Sequence, residues 1–125
     1  MQKTTNTLQL LTAIGLILFW TAFFTIGFES PNYPAYYTKF EHSFPLPDSF
    51  LCIVLLMAYF NRNKIHWKNY TLVAAGAMIF LGLCDFSFNA MNGMYTVGIA
   101  DGILNAFINI WCVGFGAWQV RIAMK

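Results

Sequence analysis

Charge is what this sequence has least of. Only 10% of its 125 residues are Asp, Glu, Lys or Arg, against roughly 25% in a water-soluble domain. So little charge excludes a soluble fold of this length, an intrinsically disordered chain and a nucleic-acid-binding surface. Cysteine is scarce as well. Cys52, Cys84 and Cys112 are odd in number, widely spaced and form no CxxC pair, which gives neither a disulfide framework nor a zinc site. They read as small buried apolar residues. The two histidines, His42 and His66, fall in different polar connections, and none of the long apolar runs contains one. Haem or metal ligation within one chain is therefore not expected. No GxSxG or HExxH sequence occurs, so no catalytic residue, cofactor or metal ligand is assigned.

What is present is hydrophobic. Apolar residues make up 58% of the chain and the mean hydropathy is +0.57. These values point to an all-α, polytopic membrane protein, a single domain over residues 1–125. A membrane helix needs about 20 apolar residues to cross roughly 30 Å of hydrocarbon. Four runs qualify, over 7–28, 47–60, 70–91 and 98–120, which predicts a four-transmembrane-helix bundle. The first run exceeds the roughly 7–15 apolar residues of a signal peptide and is read as an uncleaved span. The second covers only about 21 Å at 1.5 Å per residue. It needs an extension at one end or a locally thinned bilayer.

The loops set the orientation. With four spans, both termini share a side with the 61–69 connection. That side holds Lys3, Arg62, Lys64, Lys68, Arg121 and Lys125, six of the seven basic residues, and leaves Lys39 alone opposite. The positive-inside rule then places both termini in the cytoplasm of a multi-pass protein of the inner or plasma membrane. The acids Glu29, Glu41, Asp48, Asp85 and Asp101 all fall toward the outer side. Between the first two spans, Tyr33, Tyr36, Tyr37, Phe40 and Phe44 recur at i, i+3, i+4, i+7 and i+11. That period predicts a short interfacial helix at 34–44, aromatic side down, serving as an anchoring belt or as a lid over a cavity. Asp48, just after Pro47, reads as a charge at the positive end of the second span.

The polar residues of the last two spans form stripes. Asp85, Asn89 and Asn92 lie on one face of the third span, and Asp101, Asn105 and Asn109 on one face of the fourth. Folding the hairpin about Tyr95 sets Asp85 opposite Asn105 and Asn89 opposite Asp101. Gly98, Gly102 and Ala106 form an adjacent small-residue stripe that permits close approach. An Asp facing lipid costs about 2.5–3.5 kcal/mol at a helix centre. Pairing with Asn offsets that cost, and no Lys, Arg or His stands at the same depth. Asp85 then serves as a structural lock or as a cation or proton site.

The leading expectation is an outward-facing acidic and aromatic pocket that binds or conducts a cation, proton or small amine, with transport and a homo-oligomer in view. Its residues are Asp85, Asn89, Asp101, Asn105, Asn109, Tyr37, Glu41 and His42. The alternative is an accessory or structural subunit with a membrane partner, in which the polar hairpin is only helix glue. A lipid- or quinone-modifying enzyme using Glu41 and His42 is the further alternative. Beyond a small ligand or a partner subunit, the surrounding medium is the lipid bilayer, and nucleic acid is not a partner.

Overall fold

The protein is described by a computed structural model, which covers residues 1–27 and 33–125. Phe28, the expected end of the first span, and Glu29 lie outside the described residues. The elements run α1 (Gln2–Thr25), α2 (Ala35–Glu41), α3 (Pro45–Phe60), α4 (Trp67–Met91), a 3-10 turn (Met94–Thr96) and α5 (Ile99–Ala123). No strand occurs among the described residues. Four helical stretches are long and apolar enough to cross a membrane: Gln2–Thr25, Ala35–Phe60, Trp67–Met91 and Ile99–Ala123. The molecule therefore has the architecture of a multi-pass membrane protein.

Helix α1 shows how the sequence satisfies an apolar medium. Its hydroxyls turn back on the helix, Thr12 to the Leu8 carbonyl at 2.7 Å, Thr21 to Ile17 at 2.7 Å and Thr25 to Thr21 at 2.6 Å. Each of these hydroxyls thus finds an acceptor inside its own segment, an arrangement suited to hydrocarbon.

The second crossing is longer than the sequence suggests. Helix α3 starts at Pro45 rather than Pro47, and α2 leads directly into it. Across the junction the amides of Ser43 and Phe44 reach back three residues, to the carbonyls of Phe40 (3.0 Å) and Glu41 (3.1 Å). Pro45 has no N–H to offer the Glu41 carbonyl, and its ring crowds the preceding turn, so the regular helix is interrupted between Glu41 and Pro45. The helical path over Ala35–Phe60 then accounts for the missing length.

The long helices pack as a row, α1 on α3, α3 on α4 and α4 on α5, with α1 and α5 touching sparsely. The core is built where small side chains let the helices approach. Ala13, Ala74 and Met78 are fully buried beside Leu51 and Leu55. Cys52 is buried in the same core, with its thiol 3.6 Å from the Ala13 carbonyl. Cys84, in contrast, is exposed and Cys112 half-buried, so only one of the three thiols has the buried role expected of all.

From the end of the bundle that carries the termini to its middle, three hydrogen bonds join α1 to α5. Gln9 Nε2 donates to Gln119 Oε1 at 2.9 Å, Trp118 Nε1 to Thr5 Oγ1 at 3.0 Å, and Trp111 Nε1 to Thr12 Oγ1 at 3.1 Å. Gln9 Nε2 also donates to Thr71 Oγ1 of α4 at 3.0 Å. Gln9, Thr71 and Gln119 are fully buried. Interhelical hydrogen bonds in membranes average about 0.6 kcal/mol each. Gln9→Leu removes two of them, together with a buried Gln9 Oε1 that has no partner. The change also leaves the fully buried Gln119 Oε1 without the Gln9 donor, so a loss of about 1–3 kcal/mol is expected, measured by unfolding in bicelles. A loss several times larger would show the cluster to be a cooperative unit.

The hairpin between α4 and α5 turns on Gly93, whose φ of 66° is left-handed. The 3-10 turn follows, and Gly98 in an extended conformation starts α5. The turn itself, residues 92–98, is centred on Tyr95, but the helices it joins are offset along each other, and the pairs Asp85–Asn109 and Gly82–Cys112 centre the hairpin on Val97. The close contacts follow that register. A β-carbon on Gly82 would lie 2.8 Å from Cys112 Cβ, and one on Gly116 would lie 2.6 Å from Ile79 Cγ1. Close approach of α4 and α5 thus uses Gly82 and Gly116. Of the stripe expected to serve it, Gly102 abuts the Tyr95 carbonyl in the turn instead.

Candidate functional site

Moving the hairpin centre by about two residues shifts the pairing by four, roughly one helical turn. Asp85 therefore meets Asn109, not Asn105. Its Oδ2 accepts Asn109 Nδ2 at 2.5 Å and Asn89 Nδ2 at 3.2 Å. The Tyr95 hydroxyl, brought over by the 3-10 turn, donates to Asn109 Oδ1. Asn89 thus serves Asp85 on its own helix, not Asp101 across the hairpin. Asn89 is fully buried, and its Oδ1 has no partner among the described residues. Asn92 bonds the Phe88 carbonyl of its own helix at 2.9 Å and stays exposed. Burial raises the Tyr95 phenol above its ordinary pKa, opposed by its contact with Asn89. It stays a donor at neutral pH.

Between α1 and α5, from the Trp111–Thr12 bond outward and backed by α3 and α4, lies a cavity of about 410 Å³. Its mouth lies between these two helices, where Leu11, Leu104 and Phe107 are exposed. Gly15 of α1 is on this wall, and a β-carbon there would meet nothing within 4 Å. Apolar side chains such as Leu16, Leu51, Met78 and Leu81 form most of the lining. The polar groups on it are few: Thr12, Glu41, Asp48, Asp85, Asn105 and Asn109, with the indoles of Trp20 and Trp111. Asp48 makes no side-chain cap bond at the start of α3. Its Oδ2 accepts Trp20 Nε1 of α1 at 2.9 Å. Its position in the first turn, anticipated as a dipole effect, thus also places a carboxylate on the cavity wall.

A second, smaller cavity of about 30 Å³ lies under α2, lined by Phe19, Phe23, Tyr33, Tyr37, Glu41, Asp101, Leu104, Asn105 and Ile108. Helix α2 is held over it by aromatic packing on both sides. Phe40 stacks on Phe88 of α4 with ring centroids 3.7 Å apart, and the His42 ring meets Phe23 of α1 at 5.5 Å. The buried Tyr37 is in hydrogen-bonding contact with Asn105 and Glu41, and Tyr33 with Tyr37 and Asp101. Burial, and then the Asp101 carboxylate, push the Tyr33 phenol above its ordinary range. It too remains protonated.

Among the candidate residues, Asp85, Asn105, Asn109 and Glu41 reach the larger cavity, and Tyr37, Glu41, Asp101 and Asn105 the smaller. Asn89 supports Asp85. His42 lines neither cavity. Its Nδ1 lies 2.7 Å from the Thr38 carbonyl and its ring rests on Phe23 and Phe24, so Glu41 and His42 do not converge on one site. Sequence reasoning missed Trp20, Trp111, Phe19 and Phe23, which are apolar-run residues with no polar signal, and it gave Asp48 a different job. All four carboxylates among the described residues, Glu41, Asp48, Asp85 and Asp101, line one cavity or the other. No Lys, Arg or His among the described residues does. No family model matches this chain, and neither a curated protein nor a solved structure matches it.

Proposed function

We propose that this protein binds an amphiphilic cation taken from the bilayer, with the apolar body in the α1–α5 cavity and the charge at its acidic end. The observation that carries this reading is the gathering of Glu41, Asp48, Asp85 and Asp101 around two adjoining cavities with no basic side chain on their walls. Two unit charges about 4 Å apart at an effective dielectric of 20 interact by about 4 kcal/mol, so even partly screened carboxylates favour a cationic head strongly. The apolar walls and the lateral mouth suit a ligand dissolved in lipid better than one arriving from water. Six of the seven bases cluster at the terminal end. By the positive-inside rule the cavities then open in the outer half of the membrane, with α2 near the headgroups as their lid. Binding fits better than conduction, because the Gln9, Thr71 and Gln119 contacts close the path toward the terminal end.

The test uses the protein in lipid nanodiscs, with Trp20 and Trp111 as reporters on the cavity wall. Decylammonium is expected to give a saturable change in fluorescence, and decanol only the linear response of partitioning. In Asp48→Asn/Asp85→Asn the decylammonium affinity is expected to fall at least about tenfold, equivalent to about 1.4 kcal/mol. Gly15→Phe, which has room for its side chain at the mouth, is expected to weaken binding with both carboxylates intact. Equal responses to the charged and uncharged chains would overturn the reading. A partner helix seated in the α1–α5 gap would instead appear as a stoichiometric co-purifying protein and favour an accessory subunit.

A further inference from the structure

The two cavities share walls. Phe19, Glu41, Leu104, Asn105 and Ile108 line both, so one ligand can occupy the large apolar space and extend into the small chamber under α2. The chamber's size and its acceptors determine which end of a ligand it suits. Its volume is about 30 Å³, and a single water needs about 10–15 Å³ by the same measure. That is room for about two water-sized groups. A –CH2–NH3⁺ terminus is that size, whereas a trimethylammonium adds three further heavy atoms.

We propose that the chamber under α2 seats the unsubstituted ammonium of a primary-amine amphiphile and excludes a trimethylated head. This rests on the cation-binding reading above and names its ligand class. A primary ammonium carries three N–H donors that need acceptors. Glu41 at the end of α2 and Asp101 in the first turn of α5 supply carboxylate oxygens, and the Asn105 amide lies one turn along from Asp101. The rings of Phe19, Phe23 and Tyr37 wall the rest and present faces that attract cations. A trimethylammonium has no N–H to give these oxygens, and it exceeds the space. Asp101 lies eight residues, about 12 Å, along α5 from the Asn109 that bonds Asp85. It lines only the smaller cavity, so its carboxylate reports on the chamber separately from Asp48 and Asp85.

The experiment compares decylammonium with decyltrimethylammonium in the nanodisc fluorescence assay, on the unaltered chain and on Asp101→Asn, which keeps the side-chain shape. Decylammonium is expected to bind at least about tenfold more tightly. Asp101→Asn should remove most of that preference by weakening decylammonium, leaving decyltrimethylammonium within about twofold. Glu41→Gln, on a different helix, should reduce the preference in the same direction. Equal affinities for the two heads, or parallel losses of both in Asp101→Asn, would overturn the chamber as the ammonium seat while the larger cavity remained a cation site. Saturable binding of neither compound would remove both.

Discussion

Gly102→Ala is expected to destabilise the bundle by about 3 kcal/mol, the upper end of what one added methyl costs in a packed site. A β-carbon at Gly102 would lie 2.2 Å from the Tyr95 carbonyl oxygen and 3.2 Å from its carbon. Both are backbone atoms, so no rotamer change relieves the clash. Either the 3-10 turn Met94–Thr96 or the first turn of α5 must move. Movement of the turn also withdraws the Tyr95 hydroxyl from Asn109, so the cavity wall loosens with the fold. Gly76→Ala is the matched control, since a β-carbon at Gly76 meets nothing within 4 Å. There the better helix propensity of Ala should leave stability unchanged or raise it by up to about 1 kcal/mol. Reversible unfolding in bicelles would measure both. Equal small effects at the two positions would mean that the turn does not press on α5.

Asn109→Leu carries the second large effect, an expected loss of about 2–4 kcal/mol. A buried donor or acceptor left without its partner costs about 1–3 kcal/mol, and more when it is charged. Asn109 serves two such groups, since its amide nitrogen donates to Asp85 and its carbonyl accepts from Tyr95. The average interhelical bond in a membrane is worth only about 0.6 kcal/mol because the alternatives find other partners. Here the carboxylate has only the longer bond from Asn89 to fall back on. The double variant Asp85→Leu/Asn109→Leu should recover part of the loss, because removing both partners leaves nothing stranded. Losses that add to within about 0.5 kcal/mol would deny the coupling. Asn92→Leu, at an exposed residue that bonds its own helix, should be close to neutral.

The apolar run lengths specify the helices, and the structure has four helical stretches of membrane-crossing length where four were expected. The boundary of the second was obscured because Pro45 read as the stop of the helix before it and Pro47 as the first turn of the span, whereas Pro45 itself stands in the first turn of α3, where a proline is tolerated. The Asp and Asn stripes were legible as stripes from their spacing of three and four. Their pairing was not, since it depends on how far the turn offsets one helix along the other. Gly93 and Gly98 each take a conformation that no pattern of polarity encodes, and one turn of error in a hairpin exchanges Asn105 for Asn109. The aromatic repeat from Tyr33 to Phe44 was visible, and α2 forms within it. That Phe88 and Phe23 would receive it was hidden, because they look like any other residue of an apolar helix. The same holds for Trp20 beside Asp48, a contact that spans 28 positions of sequence.

The hydrogen bonds between α1 and α5 run from the terminal end of the bundle to its middle, which makes the pair resemble the covers of a book held along half of its spine. Spreading the covers breaks none of those bonds. Under the proposed function, a branched or longer tail would be admitted by movement of the parts of α1 and α5 beyond Ala13 and Phe115, the residues through which these helices join the core of Leu51, Leu55 and Met78. Under that proposal, such a site would be permissive toward the tail of a guest and would leave selectivity to the confined space beneath α2.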